Sequence, residues 1–161
     1  MTVPATKESP MEKTLLLLKP DAMKRRLAGR IIERLEDKGL TIIAMKMFRF
    51  TREMAEKFYS DHTGKPFFEP LVKFMISGPT VAIVLSGKNA IAVVRKLIGK
   101  TDASQAEPGT IRGDFGLSGR YNLVHASDSK ESYEKETATI LDTCDIIDRQ
   151  LDELICFPEE L

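Results

Sequence analysis

The stretch Thr14 to Leu18 is almost uninterrupted in apolar character and breaks at Lys19-Pro20-Asp21, the signature of a short buried strand ending in a turn. Leu27, Ile31 and Leu35 then recur every fourth residue, with Ala28 and Ile32 beside them and Gly39 at the natural stop, which predicts an amphipathic helix. Leu40 to Phe50, rich in Ile, Met and Phe, returns as a strand. Thr51 can cap a following helix whose inward residues include Met54, Ala55 and Phe58. A polar link through His62, Gly64 and Pro66 leads to another short helical stretch.

Ser77-Gly78-Pro79 forms a turn before the β-branched run Thr80 to Leu85, and Ala90, Val93, Val94 and Leu97 share one helical face closed by Gly99. Lys100 to Arg120 holds four glycines and one proline with no sustained period, so it reads as a long loop of the kind that carries function. It ends at a brief strand, Tyr121 to Val124. Asp128 with Glu131 has the form of a capping box, which starts a helix immediately after His125. The order βαββαβ plus additions predicts an α+β fold of the ferredoxin-like type: a four-stranded antiparallel sheet with helices packed mainly on one face. Ile147, Leu151, Leu154 and Ile155 form one apolar stripe, which predicts an extra C-terminal helix that packs within the chain or against another subunit.

Length and charge narrow the picture. With 161 residues, 42% of them hydrophobic, one core is expected over residues 13–161, preceded by a loose leader at 1–12 that contains Pro4, Pro10, Ser9 and several charges. Twenty-four basic and 24 acidic side chains cancel, so no overall field gathers DNA, RNA or anionic lipid, and any anion site must be local. Cys144 and Cys156 stand outside any CxxC spacing and read as packing residues in a reducing compartment. No apolar run approaches the ~18 residues of a membrane span, and a cytoplasmic protein is expected.

The chemistry concentrates near the end of the long loop. His125 follows a glycine-flanked turn that bears Arg112, an arrangement that points to phosphoryl chemistry on an imidazole. Histidine attacks phosphorus only as the neutral base, and an ordinary imidazole, with pKa about 6.5, is mostly neutral in the cytosol. The helix start beyond it would offer backbone N–H groups and a positive dipole end to an arriving phosphate. Glu136, farther along that helix, is placed to hold the other ring nitrogen. His62 lacks a phosphate turn in its sequence neighbourhood and reads as a structural or solvent-facing histidine.

Five stretches in order, KPDAMKR, FYSDHTGKPFF, VVRKLIGKT, PGTIRGDFG and NLVHASDS, resemble the nucleoside diphosphate kinase family over about Thr14 to Glu136. The resemblance implies that His125 accepts the terminal phosphoryl group of a nucleoside triphosphate such as ATP or GTP. It would then pass the group to a nucleoside diphosphate in a two-stroke, ping-pong transfer. It further implies Arg95, Thr101 and Arg112 on the phosphates, Tyr59 close to His125, Lys19 and Asn122 on the ribose and inner phosphate oxygens, and Phe67 against the base. Glu136 and Ser127 would orient the histidine and its surroundings. Magnesium would arrive on the nucleotide, with the phosphates as its principal ligands and Asp128 reaching it through water; no metal-ligand cluster of the chain's own is expected. A homo-oligomer is the expected assembly.

Chemistry supports these implied roles. Phosphoryl transfer asks the protein mainly for positioning and charge stabilisation, which fixed guanidinium groups supply. A flat apolar ring such as Phe67 stacks on any base without reading its edge, so base selectivity should be low. The chain departs from its relatives at Ala103, where many carry proline, at Ala126, a frequent glycine, and at Gly119, where some carry an apolar side chain. The alternative reading is a nucleotide-binding regulatory protein with weak turnover.

Overall fold

The computed structural model describes residues 11–142 and 145–147. Its sheet is built from β1 (Glu12–Leu18), β2 (Thr41–Arg49), β3 (Pro79–Gly87) and β4 (Val124–Ala126), all antiparallel, in the order β2-β3-β1-β4. The helices are α1 (Pro20–Lys24), α2 (Ala28–Asp37), α3 (Arg52–Phe58), α4 (Phe68–Ile76), α5 (Ala90–Ile98), α6 (Ile111–Phe115) and α7 (Lys130–Ile140). This is the ferredoxin-like arrangement that the element order predicts.

The two crossover helices share one face of the sheet: Ile31 and Leu35 of α2 and Val94 and Ile98 of α5 pack with Leu16, Leu18, Ile83 and Leu85. The opposite face, expected to be the less covered, is equally closed. Ala55 and Phe58 of α3, Val72 and Met75 of α4 and Ile140 of α7 pack there with Leu15, Leu17, Ala82 and Val84. The helices therefore cover both faces rather than mainly one. Leu15 to Leu18 show why: successive strand residues face opposite ways, and all four are fully buried, so both faces require cover.

Local signals located several element ends. Gly39 lies at φ 84° just beyond α2, and the Thr51 hydroxyl accepts the Met54 N–H at the start of α3. Three other expectations change. The last strand is Val124–Ala126, not Tyr121–Val124, because Leu123 adopts φ 72°, which breaks any strand through it. Its backbone is held there from outside: Leu123 N–H donates to Asp21 Oδ2 at 3.1 Å, and Lys19 N–H donates to Leu123 O at 2.8 Å. The cap of α7 is Ser129, whose hydroxyl accepts the Ser132 N–H, while Asp128 accepts a hydrogen bond from the Ser132 hydroxyl. Within the long loop, Ala103–Gln105 forms a 3-10 turn, and Arg112 sits on a short helix, α6.

Of the predicted C-terminal stripe, only Ile147 is described; Leu151, Leu154 and Ile155 lie outside the described residues, as do Cys144, Cys156 and nearly all of the leader. Among the described residues, no helix is long and apolar enough to cross a membrane.

Candidate active site

Pairing of β4 with β1 sets His125 opposite Leu17. Directly paired residues of an antiparallel sheet point to the same face. The imidazole is thereby delivered to the side covered by α3 and α7, with the rings of Phe58 and Tyr59 edge-on to it at centroid distances of 5.3 and 5.9 Å. These contacts fix the plane of the imidazole.

Glu136 fixes its protonation pattern. His125 Nε2 lies 2.8 Å from Glu136 Oε1, and the Ser127 hydroxyl donates to the second carboxylate oxygen. A carboxylate accepts, so Nε2 carries the hydrogen of the neutral ring. The lone pair then resides on Nδ1, which receives no hydrogen bond from the described residues.

A cavity of about 560 Å³ opens over this histidine. That volume lies within the usual range for a small-molecule site. Lys19, Tyr59, Phe67, Arg95, Thr101, Arg112, Asn122, His125 and Glu136 all line it. Every site residue singled out in the sequence is thus gathered at one cavity except Ser127, which is fully buried behind Glu136. Lys19, Arg95, Arg112 and Arg120 outnumber the acidic lining residues Asp128 and Glu136. The wall is basic although the chain as a whole is neutral.

Arg112 is the most firmly held of these cations. It donates from Nε to Asn122 O at 3.3 Å, from Nη1 to Gly99 O at 3.1 Å and from Nη2 to Val124 O at 2.8 Å. A guanidinium has five N–H donors, so two remain for an anion in the cavity. Burial, with the neighbouring Arg95 charge second, lowers its pKa to about 10, and it stays cationic at neutral pH. Arg95 is held more loosely, through one 3.4 Å bond to Ala126 O.

Lys19 donates to Asn122 Oδ1 at 2.8 Å, and burial brings its pKa down to about 8 against the opposing pull of Asp21. The Asn122 amide donates to Thr101 O at 2.8 Å and to Gly119 O at 3.0 Å. Asn122 therefore ties three loops together, and only its Oδ1 retains acceptor capacity for a ligand. The Tyr59 hydroxyl is buried without a hydrogen-bond partner. Burial, reinforced by the Glu136 charge, pushes its pKa up, so it is a proton donor waiting for an acceptor.

Phe67 stands 47% exposed at the cavity edge, an open ring face for a planar ligand. His62, read from sequence as remote from the chemistry, also lines the cavity, with its ring 5.2 Å from that of Phe67. A signal for it existed: Tyr59 and His62 are three apart at a 3-10 turn, where such residues fall on one side. Its Nδ1 is 3.0 Å from Lys65 Nζ, and burial and the Lys65 charge lower its pKa. Leu71 and Arg120 are further lining residues that the sequence reading missed. The expected helix N-terminus is not part of this cavity. Ser129 and Lys130 border a neighbouring groove, which meets it only at Arg95 and Asp128.

Comparison with known proteins decides the family. A family profile described as Nucleoside diphosphate kinase matches residues 12–146. The chain belongs to the nucleoside diphosphate kinase family. It is 56% identical to the nucleoside diphosphate kinase of Methanocaldococcus jannaschii over 138 residues, covering 86% of this chain and 99% of that protein. The Thermoplasma acidophilum enzyme is 55% identical over 137 residues, 85% of this chain and 93% of its own length. Among solved structures, the nucleoside diphosphate kinase of Halobacterium salinarum in complex with CDP superposes with a TM-score of 0.86 at 42% identity, covering 90% of this chain and 97% of that one. The Aquifex aeolicus nucleoside diphosphate kinase gives 0.83 at 46% identity, with 86% and 100% covered. This nucleoside diphosphate kinase family member is a phosphotransferase acting on nucleotides.

Proposed function

We propose that phosphoryl transfer runs through His125. The Nδ1 lone pair attacks the terminal phosphorus of a nucleoside triphosphate; the N–P bond forms, the bridging P–O bond breaks, and the diphosphate leaves with the electron pair. A second nucleoside diphosphate then attacks the phosphohistidine with a terminal phosphate oxygen and restores the free imidazole. The observation that carries this reading is the Glu136 contact at Nε2, which leaves Nδ1 as the nucleophilic nitrogen beside a basic cavity.

For the other residues we propose the roles that the family resemblance implies, a reading supported by their gathering at one cavity. Arg112, Arg95 and Thr101 face the phosphates, and the Tyr59 hydroxyl donates near the transferring group. Lys19 and Asn122 hold the ribose and inner phosphate oxygens, while Glu136 and Ser127 fix the imidazole. Phe67 stacks on the base, and because a ring face reads no hydrogen-bonding edge, broad base use is expected.

Magnesium fits as part of the nucleotide. Among the described residues, no group of three or more His, Cys, Asp or Glu is arranged to hold a metal ion, and Glu136 is already engaged by His125 and Ser127. Asp128 is the remaining carboxylate lining the cavity and would be the residue to receive a water of the ion. The chemistry that magnesium would supply, bound to the phosphates, is neutralisation of charge developing on their oxygens.

We place the enzyme in the cytoplasm, where its nucleotide substrates are drawn from a common pool. Assembly into a homo-oligomer is supported by edge strand β2, which leaves Met45 and Met47 exposed at 52% and 64%. The reading as a weakly active regulatory protein is disfavoured by the cavity, whose basic and nucleophilic members are all in place.

Labelling tests the proposal. Magnesium and γ-labelled ATP should give an acid-labile, alkali-stable phosphoenzyme that any nucleoside diphosphate discharges. Label that persists in His125→Ala would overturn the site assignment.

A further inference from the structure

Arg112 stands on α6, a helix of only five residues. So short a segment does not hold itself together in water. Its first turn is closed from within: Thr110 Oγ1 accepts the Gly113 N–H at 3.0 Å, and a Cβ on Gly113 would fall 2.0 Å from Glu107 O. Buried Ile111 packs against Val94 and Ile98 of α5, and Arg25, just beyond α1, donates to Phe115 O. Further support comes from α2, which does not line the cavity.

Arg34 of α2 donates from Nη2 to Asp114 Oδ2 at 2.6 Å and from Nη1 to Gly109 O at 3.3 Å. Asp114 Oδ1 in turn accepts the Gly109 N–H at 2.8 Å. Arg34, Asp114 and the Gly109 backbone thus close a ring that joins the turn before α6 to the helix itself. One residue on, the Phe115 ring lies 4.7 Å from the Arg34 guanidinium carbon and 4.4 Å from that of Arg30. Arg112 lies between these anchored points.

We infer that Arg34 is a positioning residue for phosphoryl transfer: by locking Asp114 to Gly109 it sets the pose of α6 and so the direction from which the Arg112 guanidinium meets the phosphates. The inference rests on the reading of Arg112 as a phosphate-facing cation. The Arg34 and Asp114 side chains are 30% and 28% exposed. A pair so placed contributes little to stability by attraction alone. Its leverage is geometric: three carbonyls hold the Arg112 guanidinium, while Arg34 ties the turn at Gly109 to Asp114, two residues beyond Arg112 on the same helix, and so bears on the backbone that carries it.

The test is the single-turnover rate of phosphoenzyme formation from magnesium and γ-labelled ATP, at saturating and limiting ATP, for Arg34→Ala, Asp114→Asn, the double variant and Arg34→Lys. Burst amplitude and thermal midpoint are recorded alongside. A small misplacement of a catalytic cation costs up to about 10² in rate, so Arg34→Ala is expected to label about tenfold more slowly at saturation. Its burst should remain near one label per chain. The double variant should be no slower than the slower single one, and Arg34→Lys should recover only part of the rate, because one ammonium replaces a two-pronged fork. An Arg34→Ala rate within twofold of the parent overturns the inference, as do single effects that multiply in the double variant. A loss confined to burst amplitude or thermal midpoint also overturns it, because that reports fewer folded molecules. Absence of a burst in the parent chain would instead remove the His125 reading beneath it.

Discussion

Glu136 Oε1 lies 2.8 Å from Nε2 of His125, and the same carboxylate accepts the buried Ser127 hydroxyl. The imidazole is thus oriented by an acceptor that is itself oriented. Removing the carboxylate that orients a metal-ligating imidazole typically costs about 10–100-fold, and a nucleophilic imidazole depends on its orientation in the same way. We expect Glu136→Ala to slow phosphoenzyme formation by about that factor, with Ser127→Ala affected in the same direction but less. Rapid-quench labelling measures both, and an unchanged rate in Glu136→Ala would contradict this role.

Tyr59 separates function from stability. Its buried hydroxyl has no hydrogen-bond partner, so the folded free enzyme gains nothing from it. Tyr59→Phe should leave the thermal midpoint unchanged or raise it, while kcat falls severalfold with bound nucleotide. A variant that loses stability and keeps full kcat would show that the hydroxyl serves the fold.

Lys19 sets an alkaline limit. Burial holds its pKa at about 8 rather than 10.5, and above that value the free enzyme loses a cation from the cavity. Because kcat/KM reports free-enzyme ionisations, it should decline through about pH 8. In kcat the limb should move upward, since bound phosphates favour the ammonium. Lys19→Gln should lower kcat/KM and abolish the limb; a limb that survives belongs to another group. The unfolded chain binds more protons at this lysine between about pH 8 and 10.5, so its contribution makes the fold relatively more stable as pH rises through that window.

Arg112, proposed to face the phosphates, is also tied into the packing by three carbonyls. Arg112→Ala should reduce turnover roughly 10²–10³-fold, the usual cost of losing one transition-state donor. It also strands the Gly99, Asn122 and Val124 carbonyls, so a lower thermal midpoint should accompany the loss. A change in turnover under threefold would demote it to a structural residue.

The elements with local causes were legible in the sequence. Leu15 to Leu18 as a strand, Gly39 as a helix stop and Thr51 as a cap depend on neighbours within a few residues. Leu123 was misread because its left-handed backbone is imposed by Lys19 and Asp21, about a hundred residues away in the chain. α6 escaped notice because five residues carry no period, and its scaffold on α2 is nonlocal as well.

At the site, the motifs named most of the cavity, but not how its parts are spent. Asn122 reads as a ligand contact, yet both its amide hydrogens serve the Thr101 and Gly119 carbonyls. His62 lacked a phosphate-binding neighbourhood in sequence, yet the fold sets it on the cavity wall beside the rings of Tyr59 and Phe67. The spacing from Tyr59 was the one local hint; that Tyr59 itself packs against His125 is set by tertiary structure.

Initial-velocity kinetics test the covalent carrier most directly. With a nucleoside triphosphate and a nucleoside diphosphate varied together, the His125 mechanism releases the first product before the second substrate binds. Double-reciprocal plots must then form parallel lines. Lines that intersect, as they would if both nucleotides occupied the enzyme for a direct handover, would contradict it.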